Sequence, residues 1–149
     1  MELVIRGLAP LSYNSKNPKN KEAYFKKIRS AFLRKYKGNV PKFPANEELY
    51  ARVYFFTSDG VNVDSDNISK PIWDAVSKLV YEDDRKIVMR TASVIDVNLH
   101  PFNIIDTSTI DGAVAADLMQ GLAERDVKCL YIECGKFKEP MIEIGEPCL

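Results

Sequence analysis

A run rich in Tyr, Val and Phe at residues 48 to 57, followed by an acidic loop and then a helical apolar stripe, constrains the fold more than any other feature of this chain. The run reads as a central strand. The loop holds Asp64-Ser65-Asp66-Asn67, and Ile68, Ile72, Val76, Leu79 and Val80 then take the spacing of one helix over residues 68 to 80. Pro71 is tolerable in that helix only in its first turn. Asp64 and Asp66 are expected to alternate along an extended segment, so that their side chains leave on the same side. The helix is expected to return the chain to the same end with Tyr81-Glu82-Asp83-Asp84, gathering up to four acids, before a next strand from Lys86 to Val97.

Carboxylates packed closely repel unless something positive sits between them. Oxygen-only ligands favour Mg²⁺, or Mn²⁺ in its place, over zinc, and such an ion can align a water and steady charge on a phosphodiester. Lys70, one turn after Asp66, is placed to meet a phosphate or a developing oxyanion. A plainer reading is that Asp-x-Asp at a strand-to-helix junction caps the helix. A calcium loop fails, because Ile68 stands where an oxygen ligand is needed and Ser69 where Gly is needed. A sugar-nucleotide transferase also uses Asp-x-Asp, but no room for a nucleotide-binding domain precedes it.

Written out, the pattern is Asp64-x-Asp66-Asn67-Ile68-x-Lys70, then Trp73-Asp74-Ala75-Val76, then Tyr81-x-Asp83-Asp84. In this the chain resembles the RusA family of Holliday junction resolvases, where a D-x-D-N-[LI]-x-K run opens a helix with a D-[AG]-[LV] step and a D-D pair follows. The strand Leu3-Val4-Ile5, Pro10 and Asn14 are similar to that family's opening segment, and coverage is roughly residues 2 to 96 with 127 to 135 as a last strand. The resemblance implies Asp64, Asp66 and Asp84 as metal-binding catalytic acids and Lys70 as the catalytic lysine. Asp83 would be a further metal residue, and Asp74 would support the site. It also implies a Mg²⁺-dependent homodimer that cleaves branched DNA. The chain departs from the family where some members carry arginines, at residues 57 to 63, and in an insertion expected at 97 to 125.

Formal net charge is zero, yet residues 1 to 45 hold eleven Lys or Arg against two Glu, a local +9 balanced by −9 in the remainder. That asymmetry points to a phosphate-contacting arm. Its cations include Lys16, Lys19, Lys26, Lys27, Arg29, Arg34 and Lys35, with Lys21 and Lys37 beside them; a solvated helix face is the alternative. No run approaches the roughly 18 apolar residues that cross a bilayer, and Met1-Glu2 leads straight into a strand, so no membrane association and a cytoplasmic protein are expected. Cys129, Cys134 and Cys148 lack the paired spacings of a zinc site and are expected reduced.

At 149 residues and 46% hydrophobic content the chain suits one domain. Further elements are expected at Glu2 to Gly7 (strand), Lys21 to Tyr36 (helix), 110 to 124 (amphipathic helix) and Val127 to Cys134 (strand), with 136 to 149 a loosely held tail. His100 is expected in a loop without catalytic duty. Together these predict an α+β (mixed α/β) two-layer domain with a mixed sheet of about four strands and helices packed on it. The functional expectation is a Mg²⁺-dependent endonuclease for Holliday junctions or related branched DNA. Two alternatives stand beside it, a non-cleaving branched-DNA-binding protein and a metal-dependent phosphoesterase for small substrates. The aromatic strand from Leu49 to Phe56 looks exposed enough to support a dimer.

Overall fold

The structure is a computed structural model, and it describes residues 1–11, 17–60, 62–100, 105–142 and 144–145. In chain order it contains β1 (Glu2–Arg6), α1 (Pro18–Lys35), β2 (Leu49–Thr57), α2 (Ser65–Val76), β3 (Ile87–Asp96), α3 (Gly112–Leu122) and β4 (Lys128–Lys136). The sheet order is β1-β4-β2-β3. β4 pairs antiparallel with β1 and β2, and β2 pairs parallel with β3, so the sheet is mixed and the expected α+β architecture holds. Lys16, Asn14, Pro147 and Cys148 lie outside the described residues.

Strand alternation divides the core between two faces. Leu49, Ala51, Val53 and Phe55 of β2, with Leu130, Ile132 and Cys134 of β4, face α1 and α2. There they meet Tyr24, Ile28 and Phe32 of α1 and Ile68, Ile72, Trp73 and Val76 of α2. This is the expected two-layer sandwich. The other face carries a partial third layer, where Val114, Leu118 and Leu122 of α3 pack on Val4, Phe56, Cys129 and Tyr131. Burying each of those aliphatic side chains stabilises by about 1.5–3 kcal/mol. Burial also pushes the Cys129 and Cys134 thiols up to about 12.

Beyond α3 that second face is polar. Glu133, 9% exposed, accepts hydrogen bonds from the hydroxyls of Tyr50 and Tyr131 and lies 3.7 Å from Arg52. Gly135 makes this possible, because a Cβ there would stand 2.6 Å from the Tyr50 ring.

Several boundaries differ from expectation for physical reasons. α1 begins at Pro18, since Asn17 accepts from the Lys19 N–H at 3.1 Å and Pro at the first helical position has no N–H to waste. α2 begins at Ser65 and ends at Val76, so Pro71 lies in its interior rather than its first turn, and the helix lacks the bond that residue 71 would have donated. β2 lies between two neighbours, and its aromatics are used within the monomer. Phe55 and Phe56 are buried and Tyr50 and Tyr54 half-buried, which removes the exposed-strand argument for a dimer. The start of the tail is tied down, with Phe137 N–H on the Glu48 carbonyl at 2.8 Å and Lys136 paired with Glu47 at 3.0 Å. His100 is exposed in a turn, as expected.

Candidate metal and phosphate site

The loop after β2 hands the chain to α2 at Asp64. Its backbone is extended (φ −70°, ψ 138°), as an N-cap requires, and its carbonyl accepts from the Asn67 N–H at 3.1 Å. The side chain makes no capping bond; its Oδ2 accepts from Asn67 Nδ2 at 3.3 Å. Capping therefore accounts for the place of Asp64 but leaves its carboxylate for other use. Asp66 is already helical, which corrects the expected extended Asp-x-Asp, because an acid in a first helical turn is favoured by the positive end of the helix. Both acids are exposed at the rim of a concavity of about 510 Å³ that Ala92, Ser93 and Val94 of β3 close from the other side.

Asp66, Lys70 and Asp74 follow at four-residue spacing along one flank of α2. Lys70 Nζ reaches Asp74 Oδ1 at 3.2 Å. Farther along, the Tyr81 hydroxyl donates to the Trp73 carbonyl at 2.6 Å, and burial raises that hydroxyl well above the usual tyrosine range. The groups bearing on it include Arg90, Asp84 and Asp74, and Arg90 lies 3.9 Å from Asp84. Arg90, Ala92 and Val94 pair with Ala51, Val53 and Phe55, so all three share the α2 face of β3. A strip of alternating charge thus runs between α2 and the sheet.

The expected gathering of four acids does not occur. β3 is parallel to β2, so α2 must carry the chain back the length of the sheet, about 18 Å at 1.5 Å per residue. Asp83 and Asp84 therefore enter β3 at the end opposite the one from which Asp64 leaves β2. Asp83 is committed to its own turn. It caps the 3-10 turn Asp84–Lys86, accepting from the Arg85 N–H at 3.0 Å, and holds the Arg85 guanidinium at 2.7 Å. Those hydrogen bonds hold its carboxyl down at about 2. Among the described residues no group of three His, Cys, Asp or Glu is placed to hold an ion. The pair Asp64 and Asp66 nonetheless fits Mg²⁺ as a donor set, since that ion is usually held by one or two carboxylates and completed by water and substrate phosphates.

Of the cations expected to contact DNA, Lys19, Lys26, Lys27 and Arg34 are exposed on α1 and form no ion pair with a described residue. Lys35 lies 3.6 Å from Asp111. Arg29 has a different duty. Its Nε donates to the Ala75 carbonyl at 2.5 Å and its terminal nitrogen to the Ser77 carbonyl at 3.1 Å, so it caps the end of α2 from the neighbouring helix. Arg90 is not singled out by sequence reasoning. Its one sequence signal is strand parity with Ala92 and Val94.

No protein-family model matches the chain, and no curated protein matches it either.

Proposed function

We propose that this protein is a divalent-metal-dependent endonuclease acting on branched DNA, four-way junctions included, as a homodimer in the cytoplasm. The observation that carries the reading is the pair Asp64 and Asp66, two exposed carboxylates at the positive end of α2, unspent on capping and facing a concavity against β3. Their motif context, Asn67, Ile68 and Lys70, supplies the family resemblance. A bound Mg²⁺ supplies Lewis-acid polarisation of a phosphodiester and a lowered pKa for bound water. Asp64 and Asp66 would hold that ion, and Lys70, on the same flank of α2, would offset charge on the phosphate. The exposed cations of α1 neutralise DNA backbone away from the cut. No described helix is long and apolar enough to cross a membrane.

A second reading is favoured by one specific observation. Asp84 is paired with Arg90 and Asp83 with Arg85, which leaves two acids of the four metal residues that the resemblance implies. A protein of this fold that grips branched DNA without cutting it needs only the cations. A cleavage assay on four-way, three-way, flap and linear duplex DNA with Mg²⁺ and with Mn²⁺ separates the two. Paired incisions on branched substrates support the nuclease, and tight binding without product supports the binding protein.

A further inference from the structure

β1 forms one edge of the sheet, and its backbone groups divide by parity. Met1 and Cys134 exchange two bonds of 2.9 Å, and the Gly7 N–H reaches the Lys128 carbonyl at 2.7 Å, so odd positions serve β4. Even positions point outward. Glu2 is satisfied there by the Tyr36 hydroxyl, which accepts from its N–H at 3.0 Å and donates to its carbonyl at 3.1 Å. The outward N–H and C=O of Val4 and Arg6 have no partner among the described residues.

That open edge lies at the bottom of a groove. Two adjoining concavities of about 570 and 550 Å³ run along residues 3 to 8, walled by α1 through Ala31 and Arg34 and, on the other side, by Asp117 of α3 and Glu124 just after it. The acids on the α3 wall are answered by Arg6, at 3.9 Å from Asp117 and 3.3 Å from Glu124. Lys26, Lys27 and Arg34 on the α1 wall are not answered among the described residues. The uncompensated charge of the groove is therefore positive.

We propose that this groove docks an extended acidic peptide segment as a fifth strand, paired through the backbone of Val4 and Arg6, with Asp or Glu at alternate positions facing Lys26, Lys27 and Arg34. Unpaired strand edges recruit peptide backbone because it offers donors and acceptors in the alternation they need. A nucleic-acid backbone offers phosphate acceptors only, which would set anionic oxygens against the Val4 and Arg6 carbonyls. A second copy of this chain brings an edge recessed between its own helices and a like-charged wall, so two such edges do not meet. Spacing by two residues keeps the acids on one side of the strand. The docking rests on nothing in the nuclease reading, although a docked strand and DNA would compete for the same three cations.

The test uses the full chain and the peptide acetyl-Thr-Glu-Val-Glu-Ile-Glu-Thr-amide. Fluorescence anisotropy should show saturable binding, weakened roughly tenfold or more when the three Glu are replaced by Lys, as expected for opposed charge at a desolvated contact. Amide exchange read by NMR should slow at Val4 and Arg6 when the peptide is present. N-methylation of the peptide on alternate residues should abolish binding in one register and spare it in the other. The Lys26→Glu, Lys27→Glu variant, altered only at exposed positions, should lose the acidic peptide and keep the wild-type fold by circular dichroism. Equal binding of the Lys peptide, or unchanged Val4 and Arg6 amides at saturation, would overturn the proposal. So would absence of binding at millimolar peptide, or protection of those two amides by single-stranded DNA instead of by the peptide.

Discussion

Arg29 on α1 and Ala75 on α2 are joined by a 2.5 Å hydrogen bond from Nε to a helix-terminal carbonyl. An arginine in a lysine-rich helix reads from sequence as one more DNA contact, yet this one closes the end of the helix that carries Asp66 and Lys70. Arg29→Ala should destabilise the protein by about 1–3 kcal/mol, the cost of leaving acceptors unpaired beside a charged donor's former place. Urea denaturation measures that loss. The salt dependence of DNA binding by the folded variant should match that of wild type.

The exposed cations of α1 should behave in the opposite way. Lys26→Ala, Lys27→Ala and Arg34→Ala together should leave stability within about 0.5 kcal/mol. They should lower the slope of log affinity against log salt by about 0.9 for each duplex phosphate that is no longer neutralised. Titrations on a four-way junction from low to moderate salt read the slope, and an unchanged value would reduce this face to a solvated surface.

Asp66→Asn keeps shape and helix-starting character while removing one anionic ligand. Cleavage with Mg²⁺ should fall by roughly 10²–10³ or more, as happens when transition-state charge stabilisation is removed. Junction binding without metal should hold or tighten, because repulsion of phosphate is reduced. Asp64→Asn should follow it, whereas Asp83→Asn, at the opposite end of the sheet and paired with Arg85, should not. A folded Asp66→Asn protein that cuts at the wild-type rate would refute the metal reading.

Asp83 supplies a pH signature. Its carboxyl is lowered from 3.8 to about 2, chiefly by its hydrogen bonds to Arg85. A carboxyl depressed in the folded state contributes stability that is full above its unfolded value and is lost as pH falls through its folded one. The gap in thermal midpoint between wild type and Asp83→Asn should be constant from pH 7 to about 5 and close between about pH 4 and 2. Both partners are exposed, so the gap should be small and should shrink in high salt.

Gly135 faces Tyr50 across the β2–β4 ladder, and an added Cβ would meet the ring carbon at 2.6 Å and the hydroxyl oxygen at 2.8 Å. Gly135→Ala should cost about 1–3 kcal/mol through overpacking. A calorimetric scan provides the value. Gly135→Ala combined with Tyr50→Ala should recover part of it, because the clash is then gone.

The periodic elements were legible because their side chains repeat. Tyr24, Ile28, Ala31 and Phe32 mark one face of α1, and Val114, Leu118 and Leu122 mark α3, and each set is buried where its spacing predicts. The Asp64-x-Asp66 loop was legible as a strand-to-helix junction. What could not be read was the direction of β3, since a short connection from α2 suits either pairing, and that direction decides whether Asp84 meets Asp64. Arg29, Arg90 and Glu133 were illegible for a related reason. Their partners are carbonyls, a carboxylate and tyrosine hydroxyls that local periodicity does not mark.

The position of β4 governs when this protein can be assembled during synthesis. It sits between β1 and β2, with Glu2 opposite Glu133 and Arg52 opposite the same residue on the other side. The first strand translated therefore has no neighbour until the last one leaves the ribosome. Such long-range closure is entropically expensive before it is rewarded, and it places folding among the slower, millisecond-to-second topologies. Until then the nascent chain can build only the β2–α2–β3 crossover with α1 packed on α2, one side of β2 remaining bare. A message truncated before Lys128 would yield that crossover with α1 on it and a stranded β1, with no strand beside it to complete the sheet.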